Sequence, residues 1–337
     1  MKILVLAAGG TAKNKELGLG HIFRTLNLVE NLSSEKIFFL IEDHGGVRKI
    51  LKDRNYKNTF FLKKNETDKY KKLEIIEYVK KLEIDVIVID WSKLNNSIVN
   101  SLKKYAKTVI ITDLKNKDFN VDLVINGFIG FRNSVTKNKF GVKCLLGPKY
   151  QILNNKFRKF KRSSNQVTVL TTFGGFDEKN ISLKFLKILF KSGKIIKTRV
   201  ILGQSTPNNK KLNNIAKKMT NFVEIKKSTN DMYEEITSTK FGICSGGLTT
   251  YEFAAMKIPF IILCQHKHQL LTANEWEKHG IGKNLGIHNN ISEKKILEII
   301  GKIENDSIIL KNKLTVDGKG ALRVANEIRK LDCKSHL

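Results

Sequence analysis

The sequence predicts an α/β protein built from two doubly wound, parallel-sheet domains. The chain has 337 residues, enough for about two domains of ordinary size. Short apolar runs alternate with amphipathic segments along both halves of the chain. Runs that are apolar on both faces are typical of parallel strands covered by helices on each side of the sheet.

The first half contains five runs with strand character and two segments with apolar residues at helical spacing. These strands are Lys2–Ala8, Lys36–Ile41, Asp85–Asp90, Thr108–Thr112 and Val121–Asn126, and the helices are Ile22–Leu32 and Lys71–Lys81.

The second half repeats the scheme. Its strands are Val167–Thr172, Arg199–Leu202, Phe222–Ile225, Phe241–Cys244 and Pro259–Cys264, and its helices are Ile181–Phe190, Lys210–Met219, Asp231–Ile236, Thr249–Met256 and Leu270–His279. A polar, basic stretch at 154–166 separates the halves, which predicts an N-terminal domain of 1–160 and a C-terminal domain of 161–337.

The chain is strongly basic, with 61 Lys+Arg against 32 Asp+Glu and a net charge of +29. Such an excess fits a polyanionic ligand, such as a nucleotide diphosphate, or peripheral contact with an anionic membrane. Only nine of the cations are arginines and they are spread along the chain, so compositional drift toward lysine is the alternative. A nucleic-acid-binding protein would show Arg-rich clusters, and their absence from the sequence predicts no nucleic-acid partner.

Four cysteines stand far apart in the sequence, without a CxxC pair or paired histidine spacing: Cys144, Cys244, Cys264 and Cys333. This usage predicts reduced thiols, no zinc site and a cytoplasmic protein.

The N-terminal run ILVLAA is short for a signal peptide and is followed at once by glycines, so it is expected as a buried strand. No stretch approaches the about 18 apolar residues of a membrane helix.

The first segment that could carry chemistry is GGTAKNKELGLGH at 9–21. Its glycines allow close approach of the backbone to a ligand, although their spacing is not that of a dinucleotide fingerprint. His21 stands at the start of a predicted helix, where the helix dipole is expected to lower its pKa and keep it a neutral base. The acidic alternatives as base are Glu16 and Asp113. Alternatively, His21 has no role in catalysis and is only the last residue of the loop.

The second segment is TTFGGFDEKN at 171–180. Backbone N–H groups around Gly174 and Gly175 could cradle a phosphate or line a substrate cleft. The alternative is an ordinary strand-to-helix turn in which Asp177 or Asn180 is the N-cap.

The third segment, SGGLTTYEFAAMKIPFI at 245–261, joins a predicted strand to a helix. A diphosphate is expected against the free N–H groups at the helix start, helped by the threonine hydroxyls. Glu252 could accept hydrogen bonds from two vicinal ribose hydroxyls, or it is only a first-turn acid favoured by the dipole. The predicted nucleotide-binding residues are therefore Ser245, Gly246, Gly247, Leu248, Thr249 and Glu252.

The fourth segment, CQHKHQLLTAN at 264–274, places polar residues at the end of a predicted strand. Metal binding by His266 and His268 lacks an acidic third ligand nearby, and the sequence contains no DxD motif. We therefore expect no metal and no cofactor.

Seven segments, in this order, resemble the PseG/SpsG family of UDP-2,4-diacetamido-2,4,6-trideoxy-β-L-altropyranose hydrolases and related glycosyltransferases of surface polysaccharide synthesis. They are GLGHIFR (18–24), TDLKNKDFNVDLVIN (112–126), LGPKYQILNNKF (146–157), FGGFDEKN (173–180), SGGLTTYEFAAMKIP (245–259), HQLLTAN (268–274) and VDGKGALRVA (316–325). The resemblance implies a GT-B fold, in which two Rossmann-like domains face each other across a cleft and the C-terminal domain holds the nucleotide.

The resemblance also implies roles for single residues. The family's proposed general base is the histidine of the GxGH turn, which is His21 here. The family's active-site asparagine, which precedes a glutamine, is replaced by His268, a second candidate catalytic residue. The family's "DD" pair reads Asp113–Leu114. Residues expected to line the substrate cleft are Gly18, Gly20, Arg24, Tyr150, Gly174, Gly175, Asp177, Asn180 and Gln269.

Two reactions fit this reading. In the first, water attacks the anomeric carbon of a UDP-sugar, His21 removes the proton, and UDP and a free modified hexose of the pseudaminic acid type are released. In the second, a sugar or lipid hydroxyl replaces water and the enzyme is a glycosyltransferase. His21 would serve in both, so the sequence leaves the two open.

Overall fold

The structure is a computed structural model, and it describes residues 1–10, 18–63, 67–91, 94–160, 167–203, 206–229, 231–290, 292–304 and 316–332. Its strands are β1 (Lys2–Gly10), β2 (Lys36–His44), β3 (Thr59–Phe61), β4 (Val86–Asp90), β5 (Lys107–Ile111), β6 (Leu123–Asn126), β7 (Ser134–Lys137), β8 (Lys143–Leu146), β9 (Val167–Thr172), β10 (Thr198–Ile201), β11 (Val223–Lys226), β12 (Thr239–Cys244), β13 (Phe260–Cys264) and β14 (Gly282–Ile287).

The helices cover the faces of these strands. They are α1 (Gly20–Val29), α2 (Val47–Asp53), α3 (Asp68–Leu82), α4 (Asn96–Leu102), α5 (Ile181–Lys191), α6 (Lys210–Lys217), α7 (Met232–Thr237), α8 (Leu248–Ala255), α9 (Gln269–Lys278), α10 (Glu293–Glu304) and α11 (Gly320–Arg329). None of the helices in the described ranges is both long enough and apolar enough to cross a bilayer.

The chain forms two units, and the first is built on an eight-stranded sheet. The strand order is β3-β2-β1-β4-β5-β6-β8-β7, and only the β7–β8 pair is antiparallel. Because successive side chains of a strand point to opposite faces, alternate residues of β1 enter two different cores. Ile3 and Val5 pack with α1 and α11, whereas Leu4 and Leu6 pack with α3 and α4. The order reverses between β1 and β4, where a doubly wound sheet binds its ligand.

The second unit is built on a six-stranded sheet of order β11-β10-β9-β12-β13-β14, in which the strands are parallel. Its order reverses between β9 and β12. The glycine segments of the second half follow these two strands, so both lie at the second unit's ligand-binding edge. The predicted fold class, two doubly wound parallel-sheet domains, is confirmed.

The domain limits differ from those predicted. The units divide between Asn155 and Lys156, and the segment from Gly318 onward returns to the first unit instead of completing the second. The reason is the apolar stripe of α11, whose members are fully buried in the first unit's core: Ala321, Val324, Ala325 and Ile328. Their spacing places them on one helical face.

The described cysteines, Cys144, Cys244 and Cys264, are buried free thiols. Burial raises the pKa of Cys264 to about 12. The fourth, Cys333, lies outside the described residues.

Candidate active site

The histidine of the first glycine segment is held by a buried carboxylate. His21 is the second residue of α1, and its Nδ1 lies 2.7 Å from Oδ1 of Asp90, the last residue of β4. The Asp90 side chain is fully buried, whereas that of His21 is 20% exposed. Nη2 of Arg24, which can only donate, lies 3.1 Å from the same Nδ1. We assign the proton to Nδ1 because its contact with the carboxylate is the shorter of the two and a carboxylate oxygen only accepts, which leaves Nε2 of the neutral ring as the acceptor. A carboxylate orients a histidine base in this way in hydrolytic triads.

Arg24, one turn after His21 on α1, holds the same carboxylate. Its Nε donates to Oδ2 of Asp90 at 2.7 Å and its Nη2 donates to Oδ1 at 2.5 Å. The other edge of the guanidinium donates to Asp113, through Nη1 and through Nη2 at 3.0 Å. Arg24 was expected to line the substrate cleft. It is instead buried, with its donors occupied by protein carboxylates, because it neutralises Asp90.

The charges around His21 set its pKa. Burial acts to lower the pKa, but the charge and hydrogen bond of Asp90 outweigh it, and the pKa of His21 is raised above its ordinary 6.5. The prediction of a pKa lowered by the helix dipole is therefore wrong. For Asp90, burial acts to raise the pKa, but Arg24 and His21 outweigh it and the pKa is lowered. Asp90 is thus ionised at neutral pH.

Asp90 was missed as a site residue. Glu16 and Asp113 were the acidic candidates considered, and Glu16 lies outside the described residues. The available signal was the acid that ends the apolar run VIVID, because β4 is the strand next to β1 at the switch point.

Two glycines of the first segment have a packing role. A Cβ on Gly9 would lie 2.6 Å from Cγ1 of Ile22, and one on Gly10, whose φ is +150°, would lie 2.4 Å from the carbonyl carbon of His44. Both glycines therefore allow close packing of the end of β1, a role that was not predicted from the sequence. By contrast, Gly18 and Gly20 are exposed beside open space, and their place in a substrate cleft stays a prediction.

The Asp113–Leu114 pair lies in the turn that follows β5. Leu114 has a φ of +54°, a left-handed conformation that aspartate tolerates better than leucine. The fully buried Asn126 holds this turn, since its Nδ2 donates to the carbonyls of Leu114 at 2.9 Å and Asn116 at 2.8 Å. Asp113 is thereby kept against Arg24.

Tyr150 was also expected in the substrate cleft. Its side chain is 8% exposed and packs in the first unit's core with α11, in the short 3-10 turn Pro148–Tyr150. The apolar body of the ring thus has a packing role.

In the second unit, Asp177 fills the start of α5. Its Oδ1 accepts from the Ile181 N–H at 2.8 Å and its Oδ2 from the Ser182 N–H at 2.9 Å, and the residue is 5% exposed. The anion position at this helix start is occupied by the protein's own carboxylate, so the capping alternative is confirmed for Asp177. Asn180 has a left-handed φ of 51° and makes no cap, while Oδ1 accepts from Nδ2 of Asn209 at 3.0 Å.

Asp177→Ala is expected to lower the free energy of unfolding by about 0.5–2 kcal/mol through loss of this cap, while leaving UDP affinity unchanged. Urea denaturation and calorimetric titration measure the two quantities. Asp177→Asn keeps one acceptor oxygen and should lose less stability. A fall in UDP affinity at unchanged stability would show that Asp177 contacts ligand instead.

The start of α8 differs from that of α5. Gly247 precedes the helix and has no side chain to cap it, and no side-chain bond to the first-turn N–H groups of α8 occurs among the described residues. Gly174, with a φ of +80°, lies beside this turn, since a Cβ there would stand 4.0 Å from Oγ of Ser245. The β9 and β12 glycine turns therefore meet at one place, where an anion can reach backbone donors.

The side chains along α8 divide into core and site. Thr250 is fully buried; its hydroxyl donates to the Gly247 carbonyl at 2.7 Å and accepts from Nε1 of Trp276 at 2.9 Å. Thr250 is therefore used for packing, whereas Thr249 is half-buried. Burial raises the pKa of Glu252 to about 7, against the effect of a hydrogen bond from the Thr249 hydroxyl.

The fourth segment forms a tight turn after β13. Nε2 of Gln265 donates to the carbonyls of Phe173 at 2.7 Å and Phe176 at 3.3 Å, which ties this turn to the one after β9. Oε1 of Gln269 accepts from the Gln265 N–H at 2.8 Å, so this oxygen closes the turn. Among the described residues, no three His, Cys, Asp or Glu side chains are grouped to hold a metal ion.

No protein-family model matches the chain. It is 30% identical to an uncharacterized protein of Methanocaldococcus jannaschii over 80% of its own residues, but it spans only 57% of that protein's length. It is 24% identical to the spore coat polysaccharide biosynthesis protein SpsG of Bacillus subtilis over 96% of each chain.

Solved structures agree in architecture. MurG of Acinetobacter baumannii superposes with a TM-score of 0.66 at 14% identity, covering 98% of this chain and 100% of that one. The chain therefore has the GT-B fold, and its similarity to SpsG supports the resemblance to the PseG/SpsG family. A second GT-B neighbour, the S. aureus MnaA–UDP co-structure, has a TM-score of 0.64 at 11% identity and covers 98% of this chain and 96% of that one. At this identity the neighbours establish the fold alone.

Proposed function

We propose that the protein is an enzyme of polysaccharide biosynthesis that acts on a nucleotide sugar, and that it hydrolyses a UDP-sugar to UDP and a free modified hexose. The observation that carries this is His21, oriented by a buried, ionised Asp90 at the ligand-binding edge of the first sheet. The uncapped start of α8 supports a phosphate site in the second unit. SpsG is named for polysaccharide biosynthesis and MnaA was solved with UDP, and both agree with this class of substrate.

In the proposed reaction, Nε2 of His21 takes the proton of the attacking water as its oxygen bonds to the anomeric carbon. The bond between that carbon and the diphosphate oxygen breaks, and its electron pair leaves with UDP. The proton on Nδ1 stays directed at Asp90, which stabilises the imidazolium as it forms. The N–H groups at the start of α8 stabilise the charge of the leaving diphosphate. No metal or cofactor takes part in the proposed reaction.

A glycosyltransferase is the second candidate function. SpsG is named for polysaccharide biosynthesis, and an acceptor hydroxyl could give its proton to His21 as water does. The net charge of +29 favours contact with an anionic membrane that carries a lipid acceptor.

Incubation with a panel of UDP-sugars, without acceptor, separates the two reactions. Rapid release of UDP and free sugar from one donor is expected for the hydrolase. Release that requires a cellular acceptor extract would support transfer, and release under neither condition would contradict both.

Glu252 is proposed to bind the ribose of the nucleotide. Glu252→Gln should weaken UDP binding about 10-fold or more, because an ionised carboxylate makes stronger hydrogen bonds to hydroxyls than an amide. The pKa of about 7 predicts that uridine affinity rises as pH increases through 7 in the parent protein, since the carboxylate must ionise. This rise should be absent in the variant.

Calorimetric titration of uridine between pH 6 and 8 measures this effect. 2′-Deoxyuridine is the matched ligand, because it lacks one of the two ribose hydroxyls. Its affinity should therefore change less on substitution of Glu252 than that of uridine. Unchanged UDP affinity in Glu252→Ala would remove Glu252 from the site.

A further inference from the structure

The segment 179–223 of the second unit concentrates positive charge. It contains ten lysines and one arginine and no aspartate or glutamate, whereas α3 of the first unit mixes its lysines with acids. The described part of the segment contains α5, β10 and α6, and both helices pack in the second unit's core. The charge on the outer side of these helices is therefore not offset by acids of the same segment.

An isoleucine is exposed between α5 and β10. Ile195 is 79% exposed, more than any other large apolar side chain in the described ranges. Gly193, with a left-handed φ of 65°, turns the chain after α5, and the Lys197 carbonyl accepts from the Thr168 N–H at 2.9 Å. The adjacent Ile196 is buried in the core, so Ile195 points the other way. The fold thus presents an apolar side chain outward on a backbone that is held on both sides.

Lysines surround this exposed isoleucine and a nearby phenylalanine. Phe190, near the end of α5, is 44% exposed, and Nζ of Lys218 lies 5.6 Å from the centroid of its ring. Lys187 lies one turn before Phe190 on the same helical face. Glu293 lies 3.7 Å from Lys191 and offsets part of this charge. We call this set of exposed residues the basic edge: Lys187, Phe190, Lys191, Ile195, Lys197 and Lys218.

The basic edge lies at the end of the second sheet away from the glycine turns. Lys197 directly precedes β10, whereas the glycine turns follow β9 and β12. Because these strands are parallel, their amino ends and their carboxyl ends form opposite edges of the sheet. A partner on the basic edge therefore leaves the proposed nucleotide site open.

We propose that the basic edge docks the protein on the surface of an anionic lipid bilayer. The lysines attract the negative headgroups, while Ile195 and Phe190 enter the boundary between headgroups and acyl chains. A second copy of this chain is disfavoured as the occupant, because it would bring like charges together. Single-stranded nucleic acid is bound by arginines and open aromatic faces, whereas the cations of the basic edge are lysines and one of them lies against the Phe190 ring. The proposal does not depend on which reaction the enzyme catalyses.

Cosedimentation with vesicles of phosphatidylcholine that contain about 30% phosphatidylserine tests this proposal. The parent protein should bind these vesicles and not vesicles of phosphatidylcholine alone, and its binding should weaken when NaCl is raised from about 0.1 M to about 0.5 M. Ile195→Ser should weaken vesicle binding about 10-fold, because less apolar surface is buried. Lys191→Gln/Lys197→Gln should weaken it about 10-fold or more, because two charges are lost. Calorimetric titration should show unchanged UDP affinity in both variants.

Matched control variants are available on α3 of the first unit. Leu73→Ser removes a side chain that is 56% exposed, and Lys69→Gln/Lys81→Gln removes two exposed lysines. Both controls should bind the anionic vesicles as the parent does. Losses as large as those of the basic-edge variants would mean that binding follows total charge and exposed apolar surface, which contradicts a specific docking surface.

Two further outcomes would overturn the proposal. The first is a parent protein that binds anionic and neutral vesicles alike, or binds neither. The second is tighter binding of a single-stranded oligonucleotide than of the anionic vesicles, lost in Lys191→Gln/Lys197→Gln and kept in Ile195→Ser. That result would assign the basic edge to a nucleic acid instead.

Discussion

His21→Asn is expected to lower kcat by about 10²–10⁴, the usual contribution of a general base, and to leave UDP affinity nearly unchanged. Asparagine keeps a polar side chain of similar reach but takes up no proton near neutral pH. The nucleotide is expected to contact the second unit, so its binding does not depend on this side chain. Steady-state kinetics on the reactive UDP-sugar, with calorimetric titration of UDP, measures both quantities.

Asp90→Asn should reproduce much of this loss while changing the pH profile in a specific direction. The carboxylate raises the pKa of His21, so its removal lowers that pKa and moves the acidic limb of kcat to lower pH. The matched control is His44→Gln, a buried histidine at the end of β2 whose Nε2 lies 3.0 Å from Glu42. That variant should keep kcat. Near-normal turnover of His21→Asn with weakened UDP binding would make His21 a binding residue and His268 the candidate base.

Arg24→Met is expected to lower the free energy of unfolding by about 3–5 kcal/mol at neutral pH, because it leaves the fully buried Asp90 without its main counter-charge. The lowered pKa of Asp90 means that the pair contributes stability above the carboxyl's unfolded pKa, and that this contribution is lost as pH falls through the folded value. The difference in the free energy of unfolding between the parent and Arg24→Met should therefore be largest near pH 7 and smaller at acidic pH.

Urea denaturation at pH 7 and pH 4 measures this deficit. The double variant Arg24→Met/Asp90→Leu removes the unpaired charge and should recover part of the stability. Equal unfolding midpoints for parent and Arg24→Met at pH 7 would contradict a stabilising role for this ion pair.

Both sheets were predictable because their central strands are apolar on both faces. The run Val86–Asp90 is buried throughout and could not be mistaken for a surface segment. Edge strands lack this signal. The strand Ser134–Lys137 alternates between half-buried and exposed residues, and the strand Thr59–Phe61 is only three residues long. Neither was predicted, since their pairing with β8 and β2 depends on neighbours distant in sequence.

The candidate site was predictable only in part, for a related reason. His21 follows from a local motif, whereas its partner Asp90 is 69 residues away and is brought to it by the adjacency of β1 and β4. The pKa direction was wrong because a helix dipole contributes only about 0.3–1 kcal/mol, less than a buried carboxylate in hydrogen-bond contact. Arg24 was assigned to substrate because no local pattern shows that two acids from different strand ends meet its guanidinium.

The return of α11 to the first unit has a consequence for how the protein is made. The ribosome completes residues 1–155 first, yet the apolar face of α1 that α11 covers waits until residues 320–329 have been synthesised. The second unit, 156–317, is continuous in sequence. It can therefore fold while the first unit still lacks its C-terminal segment. The unit that is synthesised first is thus the one whose core can be completed last. A product that stops before residue 318 would leave an uncovered apolar core, which is the kind of surface that chaperones and proteases recognise.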